Sequence, residues 1–134
     1  MILNVLTPEK SVTRDLAIEA VIVPGEAGQM TILPGHTDLL SGLRAGSFAF
    51  KEKGEWSWAF LSGGFVQVYK DKLTVLAETM EFARDVDMAA VELELKEAQN
   101  KFKHTDVNNP EYPKIKELKD FAEARFEALK KKTV

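Results

Sequence analysis

The chain has 134 residues, 45% of them hydrophobic and 29% charged, with a formal net charge of −3. This is the make-up of one globular domain, or of a small domain with an appendage, and it argues against wholesale disorder and against a basic nucleic-acid-binding face. No cysteine is present, which excludes disulfides and thiolate-bound zinc and fits a reducing compartment.

The stretch from Met1 to Pro8 has no basic leader and no apolar core followed by small residues, so it reads as neither a secretory signal nor a transit peptide. No apolar run approaches the about 18 residues needed to cross a bilayer. Further along, short strands are expected between turn signals. The first covers 2–6. Leu16, Ile18, Ala20 and Ile22 then alternate along one face until Pro24-Gly25 breaks the run. Similar runs cover 29–33, 38–43, 47–51, 56–61, 64–69 and 72–77. Phe48 and Phe50 share one face, as do Trp56, Trp58 and Phe60, with Lys53-Gly54 closing a hairpin between them. Residues 69–72 form a second hairpin turn. So many short strands predict a sandwich or flattened barrel of roughly 80 residues.

All eight glycines lie at or before Gly64, and from about Asp85 the period changes. Met88, Val91, Leu95, Ala98 and Phe102 are spaced 3-4-3-4, a helical seam, with Asp87 as its N-cap. Residues 104–113 are polar and carry Asn108, Asn109, Pro110 and Pro113, which interrupt a helix. A second helix from about Lys114 has Ile115, Leu118, Phe121, Ala122, Phe126 and Leu129 as its apolar face, and ends in Lys130, Lys131 and Lys132. The fold class is therefore mainly β plus α: an N-terminal β-sandwich over 1–84, then an antiparallel two-helix hairpin over 85–134. Helices of about four turns are marginal alone, so the hairpin must dock on itself, on the sandwich or on a partner. Near-equal alternatives of that kind make a conformational switch.

The residues offer little chemistry. His36 follows Leu33-Pro34-Gly35 and reads as a turn or surface-contact residue, because His104 lies on the other module and no metal partners stand near. The serines lack an acid–His constellation or a Gly-x-Ser-x-Gly elbow, and neither phosphate-loop motif occurs. No catalytic, metal or cofactor site is expected. The aromatic strands could stack on a sugar or base, but no Arg/Lys stripe accompanies them, so core packing is favoured.

One stretch is specific enough to name a family. Residues 23–40, with Val23-Pro24-Gly25-Glu26 and Ile32-Leu33-Pro34-Gly35-His36, resemble a signature of the epsilon subunit of F-type ATP synthase. Ser62-Gly63-Gly64-Phe65 and the following Leu73-Thr74-Val75-Leu76-Ala77-Glu78 resemble its second signature, in the right order and spacing. The resemblance implies a non-catalytic central-stalk subunit, peripheral on the cytoplasmic face of a bacterial plasma membrane, that binds gamma and couples the catalytic head to the c-ring. It implies that Gln29, Leu33, Pro34, Gly35 and His36 meet the c-ring, although the position of Gln29 is often acidic in the family. It implies a hairpin that inhibits ATP hydrolysis when extended among the alpha and beta subunits, where Arg125, Lys130, Lys131 and Lys132 would meet acidic segments. Some bacterial members hold ATP through Asp-x-x-Arg-Ala. Here Asp87-Met88-Ala89-Ala90-Val91 keeps only the aspartate as a remnant, so weak or absent ATP binding is expected. The rival readings are a small ligand-binding β-sandwich that uses its aromatic strands, and a small hydrolase built on His36.

Overall fold

The computed structural model describes residues 1–130. Its ten strands are β1 (Ile2–Leu6), β2 (Ser11–Ala17), β3 (Ala20–Gly25), β4 (Gly28–Ile32), β5 (Leu39–Leu43), β6 (Gly46–Glu52), β7 (Glu55–Leu61), β8 (Gly64–Tyr69), β9 (Lys72–Ala77) and β10 (Met80–Phe82). A 3₁₀ turn at Ala83–Asp85 leads to helices α1 (Met88–Lys103) and α2 (Tyr112–Leu129). The strands hydrogen-bond in the order β10-β7-β6-β3-β5-β8-β9-β1-β2, with β4 paired to β3 off that path.

The sheet folds over where β3 meets β5 through the pair Gly25–Leu43. Its two halves enclose one core, with Val21, Phe48 and Leu61 from one side and Leu3, Val66 and Val75 from the other. In β8 and β9 the alternation is plain: Val66, Val68, Leu73 and Val75 point inward while Phe65, Tyr69 and Leu76 point out. β6 and β7 are covered on both faces. Phe48, Phe50, Ala59 and Leu61 join the sandwich core, whereas Phe60 joins a second cluster with Ala83, Val91, Ala128 and Leu129. α2 therefore lies against the outer face of β6 and β7, and the Phe60 and Phe121 rings meet edge-on at 5.2 Å. The helices run antiparallel. The Phe102 and Tyr112 rings meet at a tilt near their connection, 5.3 Å apart, and Val91 and Leu129 share the cluster at the far end.

Three local expectations are corrected. Leu16 to Ile22 is two strands, and Val21 and Val23, not Ile22, are fully buried. The backbone changes partners there: Ile18 N–H donates to Met1 O at 2.9 Å and Glu19 N–H to Lys51 O at 2.8 Å. Pro24-Gly25 does not break β3. Pro24 stands where the neighbouring strand changes from β6 to β5, so its missing N–H costs no ladder bond, and its carbonyl accepts from Arg44 N–H at 2.9 Å. Pro113 sits inside the first turn of α2, where a missing N–H is tolerated. Both two-residue hairpin turns form as expected. Lys53 and Gly54 (φ 50° and 81°) and Lys70 and Asp71 (φ 49° and 62°) take the positive φ that a type I′ turn demands.

Candidate interaction sites

The Leu33–His36 segment is a tight turn at one end of the sandwich. His36 N–H donates to Leu33 O at 3.1 Å, with Pro34 and then Gly35 (φ +81°) in the middle, as a type II turn requires. All four residues are exposed, Leu33 by 55%. His36 Nδ1 lies 2.7 Å from Thr37 O, and since a carbonyl oxygen only accepts, the ring donates through Nδ1. The turn is fastened to the β8–β9 hairpin. Gly35 N–H donates to Asp71 Oδ1 at 3.1 Å, and Lys70 N–H donates to Asp38 Oδ1 at 3.2 Å. The Gly35 amide is the largest influence on the Asp71 carboxyl and holds it below its ordinary value, with the Met1 amino group at 3.4 Å adding to the effect. Gln29 is set apart, at the opposite end of β4, ~13 Å away along the strand at its usual rise. It is the cross-strand partner of Pro24 and lines a shallow pocket with Arg44 and with Ala124 of α2. Gln29 and Thr31 on this edge strand and Leu33 just after it are nevertheless all exposed, so the five expected contact residues make an edge rather than a spot.

The outer face of β5, β8, β9 and β1 carries a second feature. Register puts Gly42, Phe65, Leu76 and Leu6 in one cross-strand row, with Leu40 in the next. Phe65 is 56%, Leu76 50% and Leu40 72% exposed. Leu6, Phe65 and Leu76 of this row floor a cleft of about 580 Å³ walled by Thr7, Pro8 and Glu78. An apolar row of this kind on a sheet face marks an interaction surface. The pattern in 64–69 and 72–77 contains the signal, since Phe65 and Leu76 stand at the positions where an open face should be polar.

On the hairpin, Arg125 is not a free cation. Its Nε and Nη2 donate to Glu81 Oε1 and Oε2 at 2.8 and 3.0 Å, and its Nη1 donates to Glu94. The Glu81 hydrogen bond above all raises the guanidinium pKa above its ordinary value, with Glu94 adding to the effect. Lys130 pairs with Glu127 at 2.7 Å, while Lys131 and Lys132 lie outside the described residues. Asp87 Oδ1 caps α1 by accepting from Ala89 N–H at 3.0 Å. Of the aromatic strand residues, Phe48, Phe50 and Phe60 are buried, so the five-ring stacking platform of the ligand-binding reading does not exist. No helix among the described residues is long and apolar enough to cross a membrane.

A model of the ATP synthase delta/epsilon chain beta-sandwich domain matches residues 1–83. An ATP synthase epsilon chain from Prochlorococcus marinus strain MIT 9313 is 37% identical over 96% of this chain and 97% of its own length. The chain belongs to the ATP synthase epsilon chain family. A further member, from strain AS9601 of the same species, is 38% identical over 96% of both chains. A chain in the Euglena gracilis mitochondrial ATP synthase OSCP/F1/c-ring structure superposes with a TM-score of 0.81 at 20% identity, covering 97% of this chain and 79% of that one. A chain in the Tetrahymena thermophila mitochondrial ATP synthase central stalk/c-ring structure gives 0.66 at 15% identity, over 96% of each. At these identities the likeness is one of fold. The family match spans the helices as well as the strands, since the Prochlorococcus epsilon chains align far beyond residue 83.

Proposed function

We propose that this chain is a non-catalytic central-stalk subunit of an ATP synthase, peripheral on the cytoplasmic face of a bacterial plasma membrane. The sandwich over 1–84 packs on gamma through the outer row of Phe65, Leu76 and Leu6. The β4 edge, from Gln29 to the Leu33–His36 turn, meets the polar loops of the c-ring. A Pro-Gly turn held by Asp71 presents His36 with little conformational freedom to lose on contact. The hairpin over 85–134, released from β6 and β7, enters the head among the alpha and beta subunits and inhibits hydrolysis. Lys130, Lys131, Lys132 and Arg125 supply its positive charge. Asp87 serves as a helix cap, and calorimetric titration is expected to find no micromolar ATP affinity.

The observation that carries this reading is the uncovered apolar row on a chain whose epsilon-chain relatives match almost end to end. Its test is the variant Phe65→Asp with Leu76→Asp. Circular dichroism should report an intact fold, since both side chains already face out, and co-purification with gamma should be lost. Wild-type association would overturn the docking face. For the regulatory half, removal of residues beyond Val86 from the reconstituted complex should raise ATP hydrolysis. An unchanged rate would refute inhibition by the hairpin.

A further inference from the structure

The pair of Arg125 with Glu81 crosses from sandwich to hairpin. Glu81 lies on β10, just before the 3₁₀ turn, Glu94 on α1 and Arg125 on α2. Among the described residues, the Glu81–Arg125 pair is the one ion pair that joins a strand to the hairpin. It spans the segment 83–87, where any release of the hairpin must pivot. The geometry is the bidentate fork of guanidinium on carboxylate, which a lysine does not reproduce. Arg125 is 20% and Glu81 34% exposed, so the pair is partly shielded from water and salt. It stands beside the apolar seat of Phe60, Val91 and Leu129, to which Ala124 and Phe126 on either side of Arg125 also pack.

We propose that Arg125 is a latch. Its fork on Glu81, braced by Glu94, holds the hairpin on the sandwich, and the same guanidinium becomes available to an acidic surface only after both carboxylates let go. The latch itself is a property of the chain alone. Its effect on hydrolysis rests on the inhibitory reading given above.

The chain has no cysteine, so spin labels at Glu55→Cys and Val107→Cys, both exposed positions, report the docked and released populations without background. Arg125→Ala and Glu81→Gln should each lower the docking equilibrium about tenfold, the usual scale for hydrogen bonds to a charged group. Arg125→Lys should recover only part of the loss. The reversed pair Glu81→Arg with Arg125→Glu should recover more docking than either half alone. Docked populations equal to wild type in Arg125→Ala, or losses that simply add when Arg125→Ala and Glu81→Gln are combined, would overturn the latch. Glu81→Gln is then placed in the reconstituted synthase. Released hairpins with deeper inhibition of hydrolysis support both readings. Released hairpins with an unchanged hydrolysis rate leave the latch standing and refute inhibition by the hairpin.

Discussion

Leu129→Ala isolates the docking of the hairpin from the stability of the sandwich. Leu129 is fully buried in the last turn of α2, in the cluster with Phe60, Ala83, Val91 and Ala128, and it contributes nothing to the sandwich core. Truncating a buried leucine costs about 2–5 kcal/mol, the transfer term plus the cavity left behind. Release takes Leu129 away from Phe60 and Ala83, so most of the loss falls on the docked state. The docking equilibrium should therefore drop by a factor of roughly 30 to several thousand, at 1.4 kcal/mol per decade. Residue-resolved amide exchange reads this directly: α2 should lose protection while Phe48, Ala59 and Leu61 in the core strands keep theirs. Leu93→Ala, at a 59% exposed position of α1, is the control and should change protection by no more than about 0.5 kcal/mol. If Leu129→Ala lowered protection of the core strands as far as that of α2, sandwich and hairpin would unfold as one cooperative unit. The division into a scaffold and a releasable arm would then fail.

Gly64→Ala should cost at least about 3 kcal/mol in denaturant unfolding, because Gly64 holds φ +147° and an added Cβ would lie 1.9 Å from the Leu76 carbonyl oxygen. Asp71→Ala should speed exchange of the Gly35 amide and loosen the Leu33–His36 turn, while Asp71→Asn keeps the acceptor and most of the protection. The Asp71 carboxyl is depressed, foremost by the Gly35 hydrogen bond. Its contribution is thus complete above the ordinary carboxylate value of about 3.9 and is lost as pH falls through the lower folded value. Gly35 amide shifts should accordingly stay flat from neutrality down to that range and move only below it. Asp87→Ala should fray the first turn of α1 at a cost of about 1 kcal/mol, measured by exchange of the Ala89 amide.

The strands that could be read from sequence are those with one dry face and one wet face, and those closed by turns of restricted chemistry. β8 and β9 alternate, and Lys53-Gly54 and Lys70-Asp71 punctuate the chain where hairpins form. The unreadable strands are the two at the ends of the main strand order, β2 and β10. Ser11–Asp15 of β2 is largely polar, and Met80–Phe82 of β10 is too short to show a period. Each is fixed by one neighbour, so tertiary pairing and not local pattern makes it a strand. β2 also carries a bulge, with Asp15 at φ +45° and its N–H on Asn4 Oδ1, which throws off any strict alternation. β6 and β7 mislead in another way. The shared face of Trp58 and Phe60 is correct in parity, but parity does not reveal that the covering layer is a helix from the far end of the chain.

The same limit governs the charges, and it matters more for function. Ion pairs at helical spacing, such as Glu92 with Lys96 and Lys119 with Glu123, follow from sequence because helix geometry brings them together. Glu81, the strand partner of Arg125, is 44 positions away, and only the docking of α2 on β7, with β10 alongside, brings them together. Arg125 and Lys130 therefore look alike in the sequence and differ in the fold. Lys130 has a surface partner one turn back, a kind of pair worth at most about 1 kcal/mol, and can turn to an acidic surface at little cost. Arg125 must first leave two carboxylates, one of them half-shielded, and both must be rehydrated or paired anew. An acidic partner that draws on Arg125 has to supply as good a fork as Glu81 does now. If the hairpin is a brake, then its tail can make the first contact with the head, and Arg125 can commit only after the hairpin has left the sandwich.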